Sequence, residues 1–231
     1  MLKLFEVNGF KNFQNPIVLN LTDVRDYKFN RDYVNDGLIS KLIIYGKNAV
    51  GKSNFGLALF DLSKNYVLLD EDYFDPSYLN TLNPNDFAEF RYVFQFGNQQ
   101  IEYLYRRSAR KVLVYERILI DDERIFEYDR ENPDNCKAEG IAKLSPTLLL
   151  DFDKVDSAFN YVVSNIPLDI EHPLRQAKNF IDKMRLHRSS ADRKTFVERG
   201  VLPSFFDDKD VLAEFEGFLN NLRVQSSQAE S

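Results

Sequence analysis

Eight consecutive residues, Gly46-Lys47-Asn48-Ala49-Val50-Gly51-Lys52-Ser53, follow the pattern G-x-x-x-x-G-K-[ST]. The spacing has a physical reason. Two glycines let the backbone wrap an anion, so that the N–H groups from Ala49 to Ser53 turn inward as a nest. Lys52 is spaced to reach the β- and γ-phosphates of a nucleotide as a mobile point charge, and Ser53 to offer its hydroxyl to Mg²⁺. Asn54 carries the segment into a following helix, whose N-terminal partial positive charge adds to the same spot. Average residue usage produces this pattern by chance in roughly 1% of chains this long, which sets a plain chain-turning loop as the weaker reading.

The flanking elements must position that loop. Leu42-Ile43-Ile44-Tyr45 is apolar at every position and too short for a helix, which fits a strand buried on both faces of a parallel sheet. After the loop, Phe55, Ala58, Leu59 and Leu62 recur at helical spacing and predict an amphipathic helix from about Lys52 to Lys64. Ahead of it, Leu2, Leu4 and Val7 alternate as a strand, Phe10 and Phe13 follow Asn8-Gly9, and a second strand runs from Ile17 to Leu21 behind Pro16. Asp23 to Gly37 reads as a polar loop.

Residues 65–90 hold several acids and no base, as a solvated surface excursion would. Between 91 and 128 the period switches to two. Tyr92-Phe94-Phe96, Ile101-Tyr103-Tyr105, Val112-Val114 with Ile118-Ile120, and Ile125 with Tyr128 then predict an antiparallel meander, turned at Gly97-Asn98 and Asp121-Asp122. The rest reads as mostly helical. Pro173 suits a helix N1 position ahead of Leu174, Ala177, Ile181 and Met184, and a last helix is predicted from about Lys209 to Arg223, with a polar end from Gln225.

Composition narrows the class. The chain has 231 residues, 30 Lys+Arg against 36 Asp+Glu, and a net charge of −6, with ordinary hydrophobic and charged fractions for a globular protein. Cys136 is the only cysteine, which excludes a disulfide scaffold, and 20 Phe with 12 Tyr and no Trp predict an aromatic core in a reducing compartment. No apolar run has the length of a membrane span, and Met1 to Glu6 lacks the apolar core of a signal peptide, so a cytoplasmic protein without membrane partners is the expectation.

The acidic balance argues against indiscriminate coating of nucleic acid. Local bases do cluster, at Arg106, Arg107, Arg110 and Lys111 and again from Arg175 to Arg199. A solvated helix face with i,i+4 pairing and a nucleic-acid track are the two readings of that second cluster. His172, His187 and Cys136 have no partners at metal-ligand spacing.

A phosphate loop does not fix the reaction. Hydrolysis also needs a Walker B acid for Mg²⁺ and a group that positions water. Val67-Leu68-Leu69-Asp70-Glu71 and Leu148-Leu149-Leu150-Asp151 (with Asp153 beyond) have the outline of such a strand. The first also reads as a solvated turn, and the second as the entry to a helix through Val155, Phe159 and Val162. Neither D-x-x-G nor N-K-x-D, the GTPase patterns, occurs.

The opening strand ending in Asn8-Gly9-Phe10-Lys11-Asn12-Phe13, the second strand and then G-K-N-A-V-G-K-S resemble the RecF/SMC/OLD-like group of ABC-type ATPases. Within it they look most like the AAA-type ATP-binding proteins of bacterial abortive-infection and antiphage systems. Residues 1–62 carry the likeness. It implies an α/β P-loop NTPase, an ABC-ATPase-like head with an inserted antiparallel β-meander and a helical C-terminal region. The corresponding division is an N-terminal lobe at 1–145 and a helical lobe or arm at 146–231.

The resemblance further implies ATP and Mg²⁺ as cofactors, Gly46 to Asn54 around the nucleotide, and Lys11 and Asn12 close to it. Dimerisation through paired ATP heads, an effector protein, and a role in DNA transactions or phage defence are also implied. The family's Ser-Gly-rich signature motif, Walker B Asp-Glu pair and switch His have no counterpart here. The chain therefore reads either as the ATP-binding part of an ATPase completed by those motifs from elsewhere, or as a non-hydrolysing nucleotide-binding scaffold or subunit completed by a partner chain. A small P-loop kinase fits less well, because two strands precede the loop.

Overall fold

The fold is that of a computed structural model, which describes residues 1–25, 31–66, 77–109, 112–148, 150–151, 154–189 and 195–198. Met1–Met184 forms one compact unit and Arg185–Ser231 a second.

The period-two stretches form strands because each places apolar side chains on one face only. In chain order they are β1 (Leu2–Asn8), β2 (Ile17–Asn20), the two-residue pair β3 (Val34–Asn35) and β4 (Leu38–Ile39), then β5 (Phe87–Phe96), β6 (Gln99–Ser108), β7 (Leu113–Ile120) and β8 (Glu123–Asp129). Six of them make one antiparallel sheet in the order β2-β1-β5-β6-β7-β8. The meander is thus continuous with the opening strands, since β1 pairs with both β2 and β5. Asp121 and Asp122 both take positive φ (48° and 65°) between β7 and β8, as a two-residue hairpin turn requires.

Register assigns the two faces. Phe5 opposes Tyr92, Tyr92 opposes Tyr103, Tyr103 opposes Ile118, and Ile118 opposes Phe126. All are buried, and this aromatic face is the core. The other face carries charge: Arg91 pairs with Glu6 and Glu102, Arg117 with Glu102, and Arg106 with Glu89. These cross-strand pairs let that face meet water without repulsion.

Four helices accompany the sheet: α1 (Lys52–Phe60), α2 (Glu139–Leu144), α3 (Ala158–Asn165) and α4 (Pro173–Lys183). The first continues as a 3₁₀ turn over Asp61–Tyr66. Phe55, Ala58 and Leu62 enter the aromatic core, with the Phe55 ring 5.6 Å from Phe5. Pro173 opens α4, and His172 Nδ1 accepts from the Leu174 N–H at 3.3 Å as its cap.

Two expectations need correction. Leu42–Tyr45 is no strand: its side chains are exposed, Ile43 at 87% and Tyr45 at 91%, and no ladder includes it. A strand apolar on both faces needs neighbours at its edges and a layer on each side, and the described residues supply neither. Residues 186–189 and 195–198 are not helical either, since β9 (Leu186–Ser189) and β10 (Thr195–Glu198) pair antiparallel in the second unit. The helix expected at 209–223, the first Walker B candidate and the heart of the acidic excursion lie outside the described residues.

Beneath the aromatic face lie buried charges. Asp61, directly after α1, accepts from the Tyr105 hydroxyl at 3.0 Å and the Tyr78 hydroxyl at 3.2 Å, and pairs with Arg107 at 3.3 Å. Tyr92 donates to the carbonyls of Ala58 (3.0 Å) and Leu59 (3.1 Å). Farther along, Glu116 accepts from the Tyr103 hydroxyl, from Ser157 Oγ at 2.8 Å and from the Ala158 N–H at 2.6 Å, which caps α3. Burial nonetheless pushes the Glu116 carboxyl up, outweighing its three donors.

Asp61→Ala is expected to cost about 3–5 kcal/mol in urea unfolding, because it leaves the Arg107 guanidinium buried without its counter-charge; Asp61→Leu with Arg107→Met should recover most of it. For Glu116, the native state holds a proton that the unfolded chain releases near pH 4.3. Its contribution is therefore complete below about pH 4.3 and is lost as pH rises through the higher native value. Unfolding free energies of the wild type minus those of Glu116→Gln, measured across pH, should fall over that window, and a flat difference would refute the assignment.

Candidate functional site

The loop from Gly46 to Gly51 joins the exposed Leu42–Tyr45 segment to α1. Ala49 (φ 64°) and Gly51 (φ 100°) are left-handed, while Val50 between them is not. That alternation of hand turns successive N–H groups toward one side, which is how a backbone nest is built. Gly51 occupies the N-cap of α1 and has no side chain to bond the helix's first N–H groups, and the first turn holds no acid. The end of this nine-residue helix therefore keeps unanswered donors and its positive dipole end for an outside anion.

Lys52 Nζ folds over the loop, donating to the carbonyls of Gly46 (2.8 Å) and Lys47 (2.7 Å). Both are weak neutral acceptors that a phosphate oxygen would replace with a charge-assisted bond. Ser53 is exposed at the helix start, and Lys47, Asn48 and Val50 are exposed along the loop.

The β1–β2 connection reaches this loop. Gly9 takes φ 71° and Lys11 φ 49°, and the Phe13 N–H donates to the Phe10 carbonyl at 2.8 Å, which makes a tight turn with Asn12 inside it. Asn12 Oδ1 accepts from Asn54 Nδ2 at 2.8 Å. Lys11, expected beside it, instead donates to Ser77 Oγ at 3.2 Å and lies over the Phe10 ring. Asn12, Gly51 and Asn54 are thus together, and the Lys11 ammonium is engaged elsewhere.

The remaining candidates lie apart from the loop's own contacts. Leu150 and Asp151 line a cavity of about 570 Å³ with Tyr128, Asp129, Arg130, Pro133 and Cys136, and Asp151 pairs with Lys154 at 2.7 Å. Arg106 is sandwiched between the Phe87 and Tyr115 rings, Arg107 is 2% exposed, and Lys178 pairs with Asp182 at 2.6 Å. Those bases are engaged within the fold. Among the described residues no group of three or more His, Cys, Asp or Glu is placed to hold a metal. A Mg²⁺ at this loop would be held on the protein side by the Ser53 hydroxyl.

No family model and no curated protein matches the chain.

What the loop offers an anion is left-handed backbone at Ala49 and Gly51, an uncapped helix end and a lysine whose present acceptors are neutral carbonyls. Sequence reading did not foresee the buried Asp61–Arg107 pair. The signal was present, since Arg107 shares its period-two face with Ile101, Tyr103 and Tyr105, all core residues.

Gly51 is the position where the loop tolerates least. A Cβ there would lie 2.4 Å from Asn12 Nδ2, and φ 100° disfavours any L side chain. Gly51→Ala should lower stability by about 1–2 kcal/mol in urea unfolding, with an unchanged denaturant slope.

Proposed function

We propose that this chain is the ATP-binding part of an ABC-like ATPase head, with the loop of Gly46 to Ser53 holding the phosphates. The observation that carries the reading is a G-x-x-x-x-G-K-S loop with alternating backbone hand, opening onto an uncapped helix N-terminus. Lys52 would leave its carbonyl acceptors for the β- and γ-phosphates, and the Ser53 hydroxyl would hold the Mg²⁺ that neutralises their charge. Bound ATP would then favour pairing of two such heads and control an attached effector in phage defence or DNA transactions.

A second reading is a nucleotide-binding subunit without turnover of its own, completed by a partner chain. The exposed Leu42–Tyr45 segment favours it. Four consecutive apolar residues on the direct approach to the loop have open backbone and open faces. Strand-to-strand addition is the usual means of covering such a segment.

Lys52→Ala is expected to weaken MgATP binding at least tenfold in a fluorescence titration with a labelled ATP analogue, the loss of a charge-assisted contact. Equal affinity in the variant would remove the loop from the site. Phosphate release by the chain alone, compared with the chain plus any co-purifying protein, separates the two readings.

A further inference from the structure

We infer that Asn12 is a positioning residue that holds the phosphate loop in shape by acting on Gly51 and Asn54; this deepens the nucleotide reading and rests on it for its role in binding.

Asn12 is itself held by the core. Phe10 and Phe13, two residues before it and one after, are both buried. The Phe10 ring packs 5.1 Å from Tyr78 and 5.6 Å from Phe90, and the Phe13 ring lies 6.5 Å from Phe55 of α1. The turn is braced from outside as well. Asn80 Nδ2 donates to the Lys11 carbonyl at 2.7 Å, the Lys11 N–H to the Tyr78 carbonyl at 3.0 Å, and the Asn80 N–H to the Gly9 carbonyl at 2.9 Å. A turn pinned at so many points presents residue 12 at a fixed place.

From that place its carboxamide meets the loop on both sides of Gly51. Its nitrogen points at the Val50 carbonyl, at 3.5 Å, and its oxygen accepts from Asn54 at 2.8 Å. Between these contacts the amide occupies the space a side chain on residue 51 would need, 2.4 Å from Nδ2 and 3.0 Å from Cγ. Gly51 is therefore glycine for two reasons, its backbone hand and the presence of Asn12. The position asks for a donor and an acceptor on separate atoms of a short side chain, which asparagine supplies, whereas aspartate has no donor and serine offers both from one shorter-reaching oxygen. Both functional atoms of the amide face protein groups, so its effect on a bound phosphate passes through the loop.

The test uses the full chain and two measurements. Amide hydrogen exchange without nucleotide should show Asn12→Ala speeding exchange in the first bonded turn of α1, from the Phe55 N–H that donates to the Gly51 carbonyl at 2.8 Å, by roughly tenfold while the sheet is unchanged. Asn12→Asp, which keeps the acceptor and loses the donor, should recover part of the protection. In titrations with a fluorescent ATP analogue and Mg²⁺, Asn12→Ala should bind about five- to tenfold more weakly. The Asn12→Ala, Asn54→Ala double variant should bind no more weakly than Asn12→Ala alone, because the two act as one unit.

Unchanged exchange at the start of α1 in Asn12→Ala would overturn the inference, as would fully additive losses, which mean an independent contact with the nucleotide. Binding that Lys52→Ala leaves intact would overturn the nucleotide reading instead. The exchange comparison, made without nucleotide, would still decide whether Asn12 holds the loop.

Discussion

Asp61 and Arg107 face each other at 3.3 Å with about 2–3% of either side chain exposed, and the placement of α1 depends on that pair. Two charges this deep lose their hydration, and their attraction offsets the loss only where other polar groups complete the arrangement. Two tyrosines do so for Asp61, whereas Arg107 Nε and Nη2 are buried with no hydrogen-bond partner among the described residues, and the guanidinium lies 5.6 Å from the face of Tyr105. Burial raises the Tyr78, Tyr92 and Tyr105 hydroxyls far above their ordinary range, so all three remain donors at any physiological pH. For Arg107 burial is the largest single influence and works against the charge, but the Asp61 carboxylate together with the Tyr78, Tyr105 and Tyr103 hydroxyls outweighs it and holds the guanidinium protonated. Because Asp61 is the first residue beyond α1, the cluster fixes the helix's C-terminal end against β5 and β6.

The opposite end of the same helix is the candidate site. Asn12 ties it to the β1–β2 turn, and Phe55 in its first turns reaches the Phe5 and Phe13 rings. A helix anchored at both ends to one sheet is a rigid base for the loop that precedes it. Rigidity matters because a nest of N–H groups works by being aimed before the anion arrives, so that little ordering remains to oppose binding.

Elements whose residues obey one period and bury one face were legible in the sequence. The four meander strands, the two opening strands, the helix after the loop and the Pro173 helix start all follow from side chains answering to a single neighbouring layer. The loop was legible because its chemistry is written in consecutive residues. What was not legible depends on pairing across distance. Leu42–Tyr45 has the composition of a buried strand, but composition states only what the segment would accept as neighbours, and whether any are present is a separate fact. Asp61, Arg107 and Glu116 read as surface charge in isolation and are buried through partners as far as 46 residues away in sequence. The Asn12–Asn54 contact spans a similar distance and carries no local pattern.

The exposed segment and the anchored helix impose opposite requirements on the loop between them. Fully covering an exposed large apolar side chain is worth about 1.5–3 kcal/mol, so enclosing Ile43 and Tyr45 with the half-covered Leu42 and Ile44 would offset most of the cost of ordering their backbone. Any strand that covers them fixes the chain immediately ahead of Gly46, and hence the carbonyls of Gly46 and Lys47 that now hold the Lys52 ammonium. Phosphate binding requires that ammonium to leave those carbonyls. On the proposed reading, docking of a neighbouring strand and occupation of the loop therefore act on the same two carbonyls, and each event changes the free energy of the other by the same amount. Nucleotide affinity in this chain is then a property of the loop together with whatever covers its approach.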